Sequence, residues 1–229
     1  MPFKFDANRC FWILSALATF LVITNLIVIF SPSFTGKYLA NKLFNLDLEQ
    51  NIPTFFSALN LLISSLLLFI IAVQRRADQK RDFYYWIGLS LIFIFLSVDE
   101  FSSIHEILIN KVRDTLNTTG YLYFAWVIPY AIAVVTIGLI YLKFVISLPP
   151  GIRLQFILAG SIYIGGALGM EMVGSNQYAQ GGADTSIYKL ITTVEETLEI
   201  LGIILFIRAL LAYMELNWQG LHLRFGPSE

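Results

Sequence analysis

Four ionisable side chains lie within eight positions at the end of an apolar segment, at Asp99, Glu100, His105 and Glu106. Ionisable groups at membrane depth cost several kcal/mol unless they are paired, ligated or wet, so they usually mark a functional site. Carboxylates and imidazole are also common ligands of Zn, Fe and Mn. On a helix with about 100° per residue, Asp99 and Glu106 share one direction, whereas Glu100 and His105 point to opposite flanks. The segment predicts a polar stripe that holds a metal ion or other cations.

A second acidic segment contains Glu195, Glu196 and Glu199, which share one helical face with Thr192. Three carboxylates on one face repel one another and raise the cost of keeping all three ionised. Protons, a bound cation or hydrogen-bond donors from neighbouring helices must therefore compensate them. Lys189 lies at the outer mouth of this run and Arg208 at its inner end, so no embedded Lys or Arg stands beside the three carboxylates. This favours a cation or protons over internal ion pairs.

Glu171 stands among apolar and small residues, and it is the acidic residue least compatible with a surface position. Gly160, Ala167 and Gly174 fall on its side of the predicted helix. A stripe of small residues lets membrane helices approach closely. The pattern therefore predicts that Glu171 reaches a neighbouring helix.

The composition predicts an integral membrane protein. Hydrophobic residues make up 57% of the chain and charged residues 14%, against roughly 25% charged residues in soluble domains. The net charge of −1 gives no basic surface for nucleic acid. Runs of about 20 apolar residues are long enough to span a bilayer. Six such runs predict an all-α, polytopic membrane bundle in one transmembrane domain over residues 1–229, with spans at about 10–30, 54–74, 83–105, 121–147, 153–175 and 187–214.

The Lys and Arg residues of the connections predict the orientation of the bundle. Ten of the fifteen lie on the side that carries both termini, which the positive-inside rule assigns to the cytoplasm. A multi-pass protein of the plasma (inner) membrane is expected. The third and fifth spans then carry their acids near the outer end, and the sixth carries them near its outer start. Seven acids should therefore meet in the outer half of the bilayer, on the periplasmic side.

The available side chains restrict the kind of metal centre. Two His residues in the whole chain exclude a three-His zinc site. The Glu-x-x-His motif of di-iron bundles is also absent from the sequence. A carboxylate-rich site suits a divalent ion among Mn, Fe, Zn, Mg and Ca. The predicted metal ligands are Asp99, His105, Glu106, Glu171, Glu195 and Glu199.

These residues predict a metal-dependent membrane enzyme, either a hydrolase or an oxidoreductase, that acts on a lipid or another amphiphile. Glu196 and Glu100 are the predicted catalytic groups, as a general base or as groups that orient the ligands. The expected partners are the lipid bilayer and a lipid or small cation as ligand, without nucleic acid. Association with further copies or with a partner subunit is left open.

Two other functions fit the same residues. A cation- or proton-coupled transporter or channel would use the acids as an outer vestibule. Such a pathway should continue inward, yet the residues beyond the acids are apolar at 92–95 and 203–207. An accessory subunit of a membrane complex would use the acids to dock a cationic loop of its partner. Because the residues beyond the acids are apolar, the enzyme is ranked ahead of the transporter.

Four smaller predictions concern local structure. The run from Gly36 to Leu46 should form an amphipathic segment in the membrane interface. The third span should continue as one helix past the membrane surface to Leu116. Asn25 and Asn60, at mid-span, should form hydrogen bonds between helices. His222 is expected at the surface.

Overall fold

The structure is a computed structural model that describes residues 6–218; His222 lies outside the described residues. The described chain is helical apart from short connections. Its helices are α1 (Ala7–Phe30), α2 (Lys37–Phe44), α3 (Ile52–Ala77), α4 (Phe83–Ser102), α5 (Ile104–Leu116), α6 (Val127–Ser147), α7 (Pro150–Ile164), a π-helical turn (Gly165–Met170), α8 (Glu171–Gly181) and α9 (Ser186–Asn217). Gly120–Leu122 forms a short 3₁₀ turn before α6.

Six helical segments are long and apolar enough to cross a membrane, which confirms the predicted number of spans. They are α1, α3, α4, α6, the continuous segment Pro150–Gly181 formed by α7, the π turn and α8, and α9. The backbone N–H of Ala7 donates to Glu215 Oε1 at 2.9 Å. The two ends of the described chain therefore lie at the same end of the bundle.

Side-chain caps fix where several helices begin. The Asp6 carboxylate accepts from the backbone N–H of Arg9, and the Asn51 side chain accepts from that of Thr54. The Thr185 hydroxyl accepts from the N–H of Tyr188 at 3.2 Å. Each cap satisfies an N–H group that the first helical turn leaves without a partner. Helix α9 therefore begins about two and a half turns before Glu195, the first of its acidic residues in the site.

Helix α9 is the centre of the bundle and packs against α1, α3 and α7. Its apolar residues Ile203, Ile207 and Leu210 belong to the same buried core as Leu68 of α3 and Trp86 of α4. In lipid, this packing depends on close van der Waals contact rather than on exclusion of water. The core lies beyond the acidic residues along α9.

Glycines let the π turn and α7 approach α9 at backbone distance. A Cβ added to Gly166 would lie 2.9 Å from the Glu195 carbonyl oxygen, and one added to Gly202 would lie 2.7 Å from the Tyr163 nitrogen. Gly174 also faces α9, but an added Cβ at Gly160 would meet nothing within 4 Å. The predicted small-residue stripe therefore packs only in part. The π turn directly precedes Glu171, and such turns recur at functional sites.

The third span does not continue as one helix, so that prediction was wrong. Ser103 adopts the left-handed conformation, with φ 51° and ψ 42°, and separates α4 from α5. For Asp99 and Glu100, which precede Ser103 on α4, the directions expected from a continuous helix remain valid. Beyond it, the directions expected for His105 and Glu106 no longer apply.

The predictions for the two mid-span asparagines had different outcomes. Asn25 Nδ2 donates to Thr193 Oγ1 of α9 at 2.9 Å, which confirms the prediction for this residue. Asn60 Nδ2 donates to the Phe56 carbonyl of its own helix at 2.8 Å, so its prediction was wrong. The predicted amphipathic segment forms helix α2.

The loop between α2 and α3, residues 45–51, folds into the end of the bundle. Leu46 is buried, and its backbone N–H donates to Asn25 Oδ1 at 3.1 Å. Asn51 Nδ2 donates to the Asn45 carbonyl at 2.6 Å, which closes the loop on itself. Asn25 thus connects the 45–51 loop to α9 through one side chain.

Helix α6 is attached near its two ends. The Tyr141 hydroxyl donates to the Tyr85 carbonyl at 3.2 Å, and the rings of Tyr85 and Phe144 stack at 5.0 Å. Just before the other end, the backbone N–H of Phe124 donates to Ser175 Oγ at 2.8 Å. Between these attachments, the side of α6 that faces the bundle lines a cavity.

Candidate functional site

A cavity of about 940 Å³ lies between α4, α6, α7 and α9, with the 45–51 loop and α5 at one end. Pockets that bind small ligands usually measure roughly 300–1,000 Å³. Nine of the sixteen acidic residues line it, and no Lys or Arg is among the described lining residues. These nine are Asp47, Glu49, Asp99, Glu100, Glu106, Glu171, Glu195, Glu196 and Glu199. His105 and all seven acids of the predicted site therefore face one space.

Three side chains at the end of this cavity can hold a metal ion together. Glu49, His105 and Glu106 each offer one ligand atom, and these atoms lie within 4.8 Å of one another. Two carboxylates and one imidazole are an ordinary ligand set for Mn, Fe or Zn. His105 and Glu106 were among the predicted ligands, whereas the other four predicted ligands lie outside this group of three.

Asp99 positions His105 across the break at Ser103. Asp99 Oδ1 accepts from the backbone N–H of His105 at 2.8 Å and lies 3.4 Å from its Nδ1. The side chain of Asp99 is buried. A carboxylate on one imidazole nitrogen orients the ring and leaves the other nitrogen, Nε2, for a metal ion. His105 was expected on a flank of the stripe, but the break turns it back onto Asp99.

Glu171 and Glu195 form the second part of the cluster. The Trp126 indole Nε1 donates to Glu171 Oε1 at 2.6 Å, and the carboxyl groups of Glu171 and Glu195 lie at hydrogen-bonding distance. Two carboxylates remain at such a distance when they share a proton or hold a cation. Glu171 therefore reaches α9, as its small-residue surroundings indicated.

The remaining predicted groups lie deeper in the cavity. Glu100 on α4 interacts with Glu196 and Glu199 on α9 and receives a hydrogen bond from Ser57. No described residue donates a hydrogen bond to Glu196 or Glu199. Carboxyl groups inside a protein normally find such donors. Both are therefore available to a ligand, to water or to protons.

Asp47 and Glu49 were missed by the sequence reasoning because they lie outside the spans. Asp47 Oδ1 accepts from the Tyr188 hydroxyl at 3.2 Å, and Glu49 Oε2 is buried without a hydrogen-bond partner among the described residues. Burial raises the pKa of Asp47 to about 6, although the Tyr188 hydroxyl opposes the shift. Burial also raises the pKa of Glu49 to about 7, opposed by His105 and assisted by Glu106 and Asp99.

A signal for these two residues was present in the sequence. Leu46, Asp47, Leu48 and Glu49 alternate apolar and acidic side chains on the side of the membrane predicted for the other acids. Such alternation in a short connection places one set of side chains inward and the other outward. It could have indicated a loop that contributes acids to the site.

The far half of the cavity is largely apolar. Ile203 and Phe206 of α9 line it together with Phe93 of α4 and Phe156 of α7. The rings of Phe93 and Phe206 stack with centroids 4.7 Å apart. The cavity therefore joins an acidic end to an apolar end, as the two parts of an amphiphile would require.

Comparison with known proteins places the chain in one family. No curated protein and no solved structure matches it. The family model described as a domain of unknown function, DUF8692, matches residues 13–214, which include every residue of the candidate site. With most of its length covered by that model, the chain belongs to the DUF8692 family.

Proposed function

We propose that the protein is a metal-dependent membrane enzyme that acts on a lipid or another amphiphile. One observation carries the proposal: a single cavity joins a carboxylate and imidazole cluster, without Lys or Arg among its described lining residues, to a largely apolar half. The polar head of the substrate would meet the cluster, and its hydrocarbon part would occupy the apolar half.

Glu49, His105 and Glu106 would hold the metal ion, with Asp99 orienting His105. Two carboxylates balance the charge of a divalent ion, and the imidazole favours Mn, Fe or Zn over Mg and Ca. Such an ion supplies Lewis acidity to an oxygen of the substrate and lowers the pKa of bound water. This ligand set revises the predicted one, which lacked Glu49.

The carboxyl groups of Glu100, Glu196 and Glu199 would accept and return protons during the reaction. They lie next to one another in the cavity, and Glu196 and Glu199 have no hydrogen-bond donor among the described residues. A general base must be within reach of the proton it removes. Hydrolysis is the reaction to test first, because it requires such a base and a water molecule at the metal ion.

The orientation of the protein belongs to the same proposal. The positive-inside rule puts both ends of the chain in the cytoplasm, and the hydrogen bond from Ala7 to Glu215 supports a common side for both. The acidic end of the cavity then opens toward the outer leaflet of the plasma membrane. The substrate would be a component of that leaflet.

A proton- or cation-coupled carrier is the second candidate, favoured by the contact between Glu171 and Glu195. A carboxyl pair that shares a proton can bind and release it during transport. The far half of the cavity, with Phe93, Ile203 and Phe206, gives little polar continuation. An accessory role is weaker, because the acids face the cavity and would not meet the loop of a partner.

The first test is elemental analysis of the detergent-purified protein. Wild type and Asp114→Asn, at an exposed acid outside the cavity, should retain a stoichiometric transition metal, whereas Glu49→Gln and His105→Gln should lose it. Wild-type protein that still contains no metal after supplementation would contradict the proposal of a metal-dependent enzyme. Proton flux into liposomes that Glu171→Gln abolishes would then favour the carrier.

A further inference from the structure

The cavity reaches the lipid-facing surface of the bundle beside α6. Leu91 and Phe95 of α4 both line the cavity and have 61% and 48% of their surface exposed. Ile203 and Phe206 line the same cavity and are buried, so lining the cavity does not by itself give this exposure. Helix α4 packs mainly against α3 rather than against α6. The exposure of Leu91 and Phe95 therefore indicates that the cavity is open to the side at the middle of α4.

Helices α4 and α6 meet above and below this opening through aromatic side chains. At one level, Tyr85 and Tyr141 pack edge to face at 5.5 Å, and at the other Phe95 and Tyr130 lie 6.5 Å apart. Between the two levels, α6 turns Val134, Ile137 and Gly138 toward the cavity. The gap is therefore bounded on both sides by apolar side chains at the depth of the membrane core.

The chemistry of this gap selects its occupant. Between the two aromatic levels, the side chains that line the gap are apolar, at Leu91, Val134 and Ile137, so water or an ion gains little there. A hydrocarbon chain already resides at this depth and exchanges one apolar environment for another. The acidic end of the same cavity remains available to a polar head group.

We propose that the gap between α4 and α6 is a lateral opening through which one hydrocarbon chain of a membrane amphiphile enters the cavity and comes to lie against Ile203 and Phe206. The binding of the polar head at the acidic cluster rests on the proposed function, but the binding of the hydrocarbon chain does not. The substrate class of the enzyme is thereby narrowed to molecules that reach the site from within the bilayer.

Photolabelling tests this proposal without any need for activity. The probe is a sixteen-carbon alkylamine with a diazirine in the middle of its chain, dissolved in phosphatidylcholine vesicles that contain the protein. Ile203 and Phe206 are buried and line the cavity, whereas Leu210, on the same helix, is buried and outside it. Labelling of Ile203 and Phe206 but not of Leu210 is expected. Labelling confined to outward residues such as Leu139 would overturn the opening.

Two adjacent substitutions on α6 supply the matched control. A side chain at Gly138 meets nothing within 4 Å and extends into the cavity, whereas Leu139 is exposed. Gly138→Trp should reduce the labelling of Ile203 by roughly fivefold, because an indole fills a large apolar volume. Leu139→Trp should leave it unchanged. Equal labelling in both variants would contradict the proposal, and Ala133→Phe repeats the test at a second cavity-lining position.

Metal content distinguishes this inference from the proposed function. The labelling is measured once after treatment with a chelator and once after loading with Mn²⁺. Labelling of Ile203 in protein that binds no metal would support the lateral opening and contradict the metal-dependent enzyme. Bound metal with unlabelled Ile203 would retain the metal centre and reject the opening.

Discussion

The Asp99 carboxylate accepts a hydrogen bond from the backbone N–H of His105 across the helix break at Ser103, with a distance of 2.8 Å. The same oxygen lies 3.4 Å from the imidazole Nδ1. One side chain thus stabilises the break and orients a candidate metal ligand. The two roles can be separated by substitution.

Asp99→Asn retains an oxygen that can accept from the His105 N–H but loses the charge that faces the imidazole. We expect nearly unchanged thermal stability and a metal affinity lower by roughly 10-fold to 100-fold. Asp99→Ala also leaves the His105 N–H without its acceptor, and should destabilise the protein by about 1–3 kcal/mol. Calorimetric titration with Mn²⁺ and thermal unfolding in detergent measure the two effects. Identical behaviour of both variants would refute the separate roles.

Gly202→Ala should be strongly destabilising. Its added Cβ would lie 2.7 Å from the Tyr163 nitrogen, so α7 and α9 must separate. We expect a cost of about 1–3 kcal/mol, typical of overpacking. Gly169→Ala is the matched control, since its added Cβ meets nothing within 4 Å, and it should be neutral or slightly stabilising. Thermal unfolding of both variants in one detergent decides the matter, and equal melting temperatures would show that the close contact is unimportant.

Asn25→Leu should destabilise the bundle although leucine suits a membrane span. The change leaves the buried Leu46 N–H without its acceptor, whereas the Thr193 hydroxyl keeps its bond to the Lys189 carbonyl. Each buried polar group left unpaired costs about 1–3 kcal/mol. Thr24→Val is the control, because the Thr24 hydroxyl bonds only within its own helix, to the Phe20 carbonyl. Limited proteolysis should also show faster cleavage in the 45–51 loop for Asn25→Leu alone.

The stability of the metal-free protein should fall as the pH rises through about 7. The pKa of Glu49 is raised from 4.5 to about 7, chiefly by burial, so the folded state holds a proton that the unfolded state releases. Stability from this group is complete below the unfolded pKa and is lost above the folded one. Metal affinity should change in the opposite direction, because a carboxylate ligand must be deprotonated. Thermal unfolding with chelator and with Mn²⁺, from about pH 5 to about pH 8, tests both slopes.

Glu49→Gln is the control for this pH dependence. Glutamine carries no titratable group, so the decrease in stability of the metal-free protein near pH 7 should become shallower. An unchanged slope in Glu49→Gln would assign the pH dependence to other groups. The variant should also lose the stabilisation by Mn²⁺.

The spans and the common location of the acids could be predicted from sequence. Apolar runs of sufficient length identify membrane helices, and alternating direction puts the acids of α4, α8 and α9 at one end of the bundle. Glu171 and Glu195 therefore meet as the pattern indicated. These inferences depend only on chain length and direction.

The detailed ligand group could not be predicted for two physical reasons. The left-handed backbone at Ser103 has no strong signal, since serine is not among the residues that favour φ > 0. Glu49 reaches the site through long-range contacts, in which Asn25 accepts from Leu46 and donates to Thr193. Hydropathy describes each span by itself and contains no such pairing. The sequence therefore indicated the acidic layer and not the three side chains that converge.

The two sides of the cavity differ in how many substitutions they tolerate, because only one of them is packed at backbone distance. On one side, the backbone at Gly166 and at Gly202 lies in close contact with the neighbouring helix. A larger residue at either position would therefore displace the acids of α9. On the other side, α6 lines the cavity with residues such as Val134, Ile137 and Gly138. Substitutions on α6 can change the length and shape of the apolar half of the cavity while the acidic side chains stay in place. Under the proposed function, members of the family would therefore differ in substrate while they keep one reaction.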